Sequence, residues 1–280
     1  STGIKNTLIG ALAGDAITTG VNNVAIGYEA LSSEDAHGKN IAIGYAALNV
    51  LNAGADAYNV AIGHQAGELM STGIRNTLIG GQAGDALTTG NYNIAIGHAA
   101  LSTEDTQGRN VAIGYAALET LNAGADAYNT AIGFNAGNAI ATGVQNTFIG
   151  GNVADVIVSG DSNVAIGYGT MGAANGSESR NVAIGAIALA AMDWNASNYN
   201  TAIGYAAGTA ITTGLQNTLI GGQAGDALTS GSGNIAIGYD ALSAEDAHGR
   251  NVAVGYLALQ AQNAGADAYN IAIGYSAGAA

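Results

Sequence analysis

Sixteen times along this chain an asparagine is followed by Val, Ile or Thr, then by Ala or a larger apolar residue, then by Ile or Val, then by Gly. The asparagines are Asn6, Asn23, Asn40, Asn59, Asn76, Asn93, Asn110, Asn129, Asn146, Asn163, Asn181, Asn200, Asn217, Asn234, Asn251 and Asn270. Their spacing runs 17, 17, 19, 17 and then repeats, with one extra residue between Asn163 and Asn181. Four turns make a super-repeat of about 70 residues, so the 280 residues divide at 1–70, 71–140, 141–211 and 212–280. Fixed-period self-similarity of this kind is the signature of a repeat array in which each unit packs on its neighbours.

The period selects the architecture. A helical solenoid needs two helices per unit, hence 30 or more residues. Seventeen is too few. The Val-Ala-Ile core is β-branched with period two and reads as a short strand. A strand, a glycine corner and a return path make one turn of a parallel β-coil. The expectation is an all-β parallel β-solenoid of about 16 coils of 17–19 residues, forming one repeat domain over 1–280.

Within a coil, the column of Asn23, Asn40, Asn59, Asn93 and Asn110 is expected to form an amide ladder, with asparagine tolerating left-handed backbone at a corner. The glycines Gly27, Gly44 and Gly114 suit positive φ or close backbone approach. Tyr28, Tyr45 and Tyr115 begin an aromatic column that reads as a packing ladder, or alternatively as a sugar-binding stripe. The middle strand residue is Ala in twelve coils and Leu8, Leu78, Phe148 or Leu219 in the others. It never carries a charge, so both strand faces are expected to be buried, the alanine face against another copy of the chain.

All six basic residues directly precede a ladder asparagine: Lys5, Lys39, Arg75, Arg109, Arg180 and Arg250. Nearby acidic loops, Glu34-Asp35, Glu104-Asp105 and Glu245-Asp246, are their expected partners and the candidate outward-facing surface sites. These loops read as solvated, with calcium at a shared surface as the alternative. No other cofactor is expected. The single tryptophan, Trp194, lies in the irregular stretch 159–199 and reads either as a sugar platform or as a local plug.

The net charge of −14 argues against a nucleic-acid partner, which rewards lysine and arginine. It argues equally against an anionic membrane surface. No apolar run reaches membrane-spanning length. There are no cysteines, so disulfides and thiolate chemistry are out. His37, His64, His98 and His248 lack zinc-ligand spacing. Gly167–Gly172 matches a dinucleotide fingerprint without the helix that gives it meaning. An enzyme is not expected, because nothing clusters acid, base and nucleophile at a break in the repeat.

The Asn-x-Ala-Ile-Gly core, as in Asn23–Gly27 and Asn110–Gly114, resembles the head repeats of trimeric autotransporter adhesins. The longer form, Asn-Val-Ala-Ile-Gly-Tyr-x-Ala-Leu followed by Thr-Thr-Gly, is similar to repeats in phage tail fibres. The resemblance covers the whole chain. It implies a left-handed β-roll in a homotrimeric rod, with the alanine face as the subunit contact. It also implies an extracellular fibre or adhesion module, on a cell surface or virion, that attaches to a carbohydrate or protein receptor. The alternative is a self-assembling structural filament with no specific receptor, stacked end to end.

Overall fold

The computed structural model describes residues 2–193 and 196–279. It is all-β, a parallel β-solenoid of sixteen turns, with no helix among the described residues. The chain divides into two compact units, residues 1–144 and 145–280, so the division falls beside the junction of the second and third super-repeats.

Each turn contributes one three-residue strand. In the first unit these are β1 (Thr7–Ile9), β2 (Val24–Ile26), β3 (Ile41–Ile43), β4 (Val60–Ile62), β5 (Thr77–Ile79), β6 (Ile94–Ile96), β7 (Val111–Ile113) and β8 (Thr130–Ile132). In the second they are β9 (Thr147–Ile149), β10 (Val164–Ile166), β11 (Val182–Ile184), β12 (Thr201–Ile203), β13 (Thr218–Ile220), β14 (Ile235–Ile237), β15 (Val252–Val254) and β16 (Ile271–Ile273). Inside each unit, every strand pairs in parallel with the next, in strict register. Val24 pairs with Ile41, Ala25 with Ala42 and Ile26 with Ile43. In-register pairing stacks like on like, which is why columns, not single residues, carry the structure.

The alanine column faces inward. Ala25, Ala42, Ala61, Ala95 and Ala112 are fully buried within one chain, and so are Leu78, Phe148 and Leu219. This corrects the expectation that the alanine face is a subunit contact. The flanking Val, Ile and Thr point outward and are half-exposed, with Ile41, Ile62 and Ile94 each at 36–38%. The core is thin, so volume is traded across it. Where the strand residue is Ala25 or Ala42, six residues later stands the buried Leu31 or Leu48. Where it is Leu78, the same offset holds Gly84, and a Cβ there would meet Leu78 Cδ2 at 2.9 Å; Ala61 also has a glycine at that offset, Gly67, because Leu78 of the next turn reaches it (2.7 Å to Cδ1). Close packing tolerates no second bulky group.

Two backbone devices turn the chain at the ends of each strand. The residue before every ladder asparagine has positive φ, from Lys5 at 61° to Tyr269 at 53°, and it is almost never glycine. The left-handed corner thus belongs to this residue and not to the asparagine, a second correction. At the other end, Gly27, Gly44 and Gly114 take φ of 134–139°. A Cβ on Gly44 would lie 2.2 Å from the Gly63 carbonyl oxygen.

From Asn23 to Asn251 the asparagine column is buried, and its order comes from the main chain more than from amide pairs. The backbone N–H of Asn40 donates to Asn23 Oδ1 (3.0 Å), Asn59 N–H to Asn40 Oδ1 (3.1 Å) and Asn110 N–H to Asn93 Oδ1 (3.0 Å). The Nδ2 groups mostly donate to a loop carbonyl, as Asn59 does to Gly73 (2.7 Å). Direct amide-to-amide contacts are longer, for example Asn110 Nδ2 to Asn93 Oδ1 at 3.4 Å.

Candidate functional site

Three surface columns flank one another. The first follows the strand-end glycine. Tyr28, Tyr45 and His64 stack with centroids 5.6 and 5.1 Å apart. His98, Tyr115 and Phe134 stack at 5.5 and 5.4 Å, and Tyr239, Tyr256 and Tyr275 at 5.6 and 5.3 Å. The ladder expected from sequence is therefore present in three runs of three rings, broken where Gly81, Gly151, Ala186 and Gly222 supply no ring. A hydrogen bond to Glu29, and that residue's charge, hold the Tyr28 phenol above its ordinary range.

The second column is the outward pair of strand positions, an apolar strip of Val, Ile and Thr. The third precedes the asparagines, and there the sequence reading caught only half of the pattern. Lysine or arginine alternates with tyrosine: Lys39, Tyr58, Arg75, Tyr92, Arg109 and Tyr128 occupy consecutive turns. Lys39 Nζ lies 4.8 Å from the Tyr58 ring centre. Arg109 sits between Tyr92 and Tyr128, at 5.7 and 5.6 Å. Arg180 covers Tyr199 and Arg250 covers Tyr269. Each such contact is worth about 0.5–1 kcal/mol at an exposed site.

The carboxylates that pair with these cations are not the expected ones. Lys39 pairs with Asp56 at 2.6 Å, Arg109 with Asp126 and Arg250 with Asp267. All three aspartates come from the Asn-Ala-Gly-Ala-Asp-Ala loop of the adjoining turn, whose recurrence was the available signal. Hydrogen bonds from Lys39 hold the Asp56 carboxyl below its usual range, and Asp56 and Tyr58 hold the Lys39 ammonium above its own.

The acidic loops are only half solvated. Asp35 and Asp246 are exposed and Asp105 is half-exposed, but Glu34, Glu104 and Glu245 are fully buried. Each glutamate folds back to accept a backbone N–H three residues on: His37 to Glu34 Oε1 (3.0 Å), Gln107 to Glu104 Oε1 (3.2 Å) and His248 to Glu245 Oε1 (3.2 Å). Glu178 is buried in the same way and accepts from Gly176 N–H (3.0 Å). They are loop staples rather than surface ligands. Ligand atoms of Glu34, Asp35 and His37, and of Glu245, Asp246 and His248, lie within 4.8 Å of one another. Calcium takes six to eight oxygens, and each set offers one buried carboxylate already engaged, one exposed carboxylate and one nitrogen, so calcium fits them poorly. Trp194 lies outside the described residues.

Burial raises the carboxyl groups of Glu104, Asp85, Asp155 and Asp226 above their ordinary range. Folding therefore favours their protonated forms. The stability this gives is complete below the unfolded pKa and is lost as pH rises through the raised folded pKa. Asp56 acts in the opposite sense, its contribution being lost as pH falls through its lowered pKa. The melting temperature should accordingly be higher near pH 5 than near pH 7.5, by about a few degrees, and fall again in stronger acid. Glu104→Gln should raise the neutral-pH value and flatten the profile. Calorimetric melts across this range check it, and a melting temperature that falls steadily from pH 7.5 to pH 5 would contradict it.

The fold and its columns define a β-solenoid repeat protein with an aromatic ladder, an apolar strip and a cation–tyrosine ladder on its surface. Comparison with protein-family models, curated proteins and solved structures found no match. Among the described residues, no helix is long and apolar enough to cross a membrane.

Proposed function

We propose that this chain is an extracellular fibre or adhesion module: a repeat scaffold that self-associates through its outer apolar strip and presents its loops for attachment to a surface receptor. The observation that carries the reading is the strip itself. Val, Ile and Thr occupy both outward positions of the strands, half-exposed and in register, for eight turns in each unit. Contiguous apolar surface on that scale marks an interaction site. Along one border the basic residues Lys39, Arg109 and Arg250 are already paired with Asp56, Asp126 and Asp267 of the same chain, so the apolar area itself is what a second copy would cover. The resemblance to trimeric adhesins and tail fibres points to three copies, joined through the β-branched face rather than the alanine face.

Light scattering on the purified chain tests this. The expected mass is a small multiple of the 27.4 kDa chain, three copies being the preferred value. Ile96→Lys together with Ile113→Lys should give single chains with unchanged circular dichroism, and binding to intact target cells should weaken as multivalency is lost. A single-chain mass for the unaltered protein would overturn self-association. Indefinite polymers would favour the structural filament instead.

A further inference from the structure

One turn of the first unit holds a cleft. It has a volume of about 230 Å³ and is lined by Gln82, Asp85, His98, Ser102, Tyr115 and Glu119 over Ala99. Gly81 supplies no ring to the aromatic column, as Gly151 and Gly222 supply none in later super-repeats, and one face of His98 meets Tyr115 at 5.5 Å. Ala99 is small where the first and fourth super-repeats carry Glu29 and Asp240 (φ 54°, 55° and 50°), and the third carries Gly169 (φ 60°). In the second unit the corresponding space is bridged. Tyr239 hydroxyl donates to Gln223 Oε1 (2.9 Å), and Gln260 reaches Asp240 (3.5 Å).

The chemistry of the lining narrows the ligand. Asp85 contributes a carboxylate to the lining; its Oδ1 is shielded from solvent, as is Asp226 Oδ1 at the equivalent position of the fourth super-repeat. Glu119 is fixed beside Asp85 by Asn138, whose Nδ2 donates to Oε2 (2.7 Å). The lining holds two carboxylates and no lysine or arginine, which disfavours phosphate, sulfate and acidic sugars. The volume falls below the ~300–1,000 Å³ of drug-sized sites, which suits a single ring. A flat ring beside hydroxyl-accepting carboxylates suits a saturated ring bearing several O–H groups.

We propose that this cleft binds one neutral pyranose ring, seated against His98, with its hydroxyls donating to Asp85 and Glu119 and meeting the amide of Gln82. The inference rests on the attachment reading for its biological purpose alone. The cleft is tested without reference to oligomeric mass, so failure of either leaves the other standing.

The test is saturation-transfer NMR on the full chain with methyl β-D-glucopyranoside, methyl β-D-galactopyranoside and methyl α-D-mannopyranoside. At least one should receive magnetisation on its ring protons, with a Kd on the order of 1 mM. Ala99→Glu reproduces the side chain that the equivalent turn already accommodates at Glu29, and it should weaken binding at least tenfold. Asp85→Asn keeps the shape and removes the charged acceptor, and should also cost about tenfold. Both variants should keep the parent circular dichroism. Three results would each overturn the proposal: no transfer to any of the three glycosides at about 50 mM, binding unaffected by Ala99→Glu, or binding of protonated glucosamine alone, which would make the carboxylates a cation site.

Discussion

Gly44→Ala should fail to give a folded first unit, or should destabilise it by more than about 4 kcal/mol. Two costs fall on the one methyl group. The backbone there has φ 136°, a region that residues with a Cβ rarely enter. The Cβ would also stand 2.2 Å from the Gly63 oxygen and 2.6 Å from its carbonyl carbon, both main-chain atoms of the next turn. Main chain held by strand pairing on either side cannot retreat as a side-chain tip can. The turn would have to part from its neighbour, breaking the Gly63 N–H bond to Ile43 O (2.8 Å). Gly54→Ala is the control. Gly54 also has positive φ (67°), but a methyl group on it would meet no atom within 4 Å, so the change should cost only about 1 kcal/mol. Urea unfolding of the two variants, followed by circular dichroism, measures the contrast. Equal effects would mean that backbone conformation, not the stacking distance between turns, sets the requirement for glycine.

Asn110→Ala should cost about 3–5 kcal/mol. Asn110 Oδ1 accepts the Asn129 N–H (3.1 Å), while its Nδ2 donates to Gly108 O (3.3 Å). Alanine leaves a buried N–H and a buried carbonyl without these partners, in a site too enclosed for water to replace them. Hydrogen exchange should locate the loss, with the Asn129 amide losing protection first. Asn110→Asp separates the two roles. It keeps the acceptor for Asn129 but loses the donor and places a carboxylate against Asn93 Oδ1. Burial should raise that carboxyl, so the variant should be weak at neutral pH and recover as pH falls through the raised pKa. Aspartate that behaves like asparagine at pH 7 would show that the Nδ2 donor is dispensable.

The same two columns show how far the sequence could be read. Turn length, strand position, glycine corner and asparagine ladder all follow from spacing, because in-register stacking forces every turn to solve one geometric problem with one residue type. The acidic loops were harder. Glu34 and Asp35 are adjacent and look alike in sequence, yet one is buried and the other exposed. Only the loop's three-dimensional path shows that the glutamate carboxylate returns to the His37 N–H. The cation column was legible in part. Lysine and arginine before asparagine stood out, whereas Tyr58, Tyr92 and Tyr128 in the same column did not, since nothing in a linear reading marks a tyrosine and an arginine a turn apart as neighbours.

By itself, then, the sequence determined that this chain is a parallel β-solenoid of seventeen-to-nineteen-residue turns, with an asparagine column and with glycine fixed at its strand-end corners. Which strand face is the interior was decided by the tertiary structure alone. In Val-Ala-Ile a period of two is satisfied with either face inward, and both faces are apolar. The choice falls to the corners: the left-handed residue before Asn and the wide φ of the strand-end glycine turn the chain so that asparagine and alanine point in together. The space they leave is filled by leucines such as Leu31 and Leu48 from the return path. The isoleucines are thereby left outside.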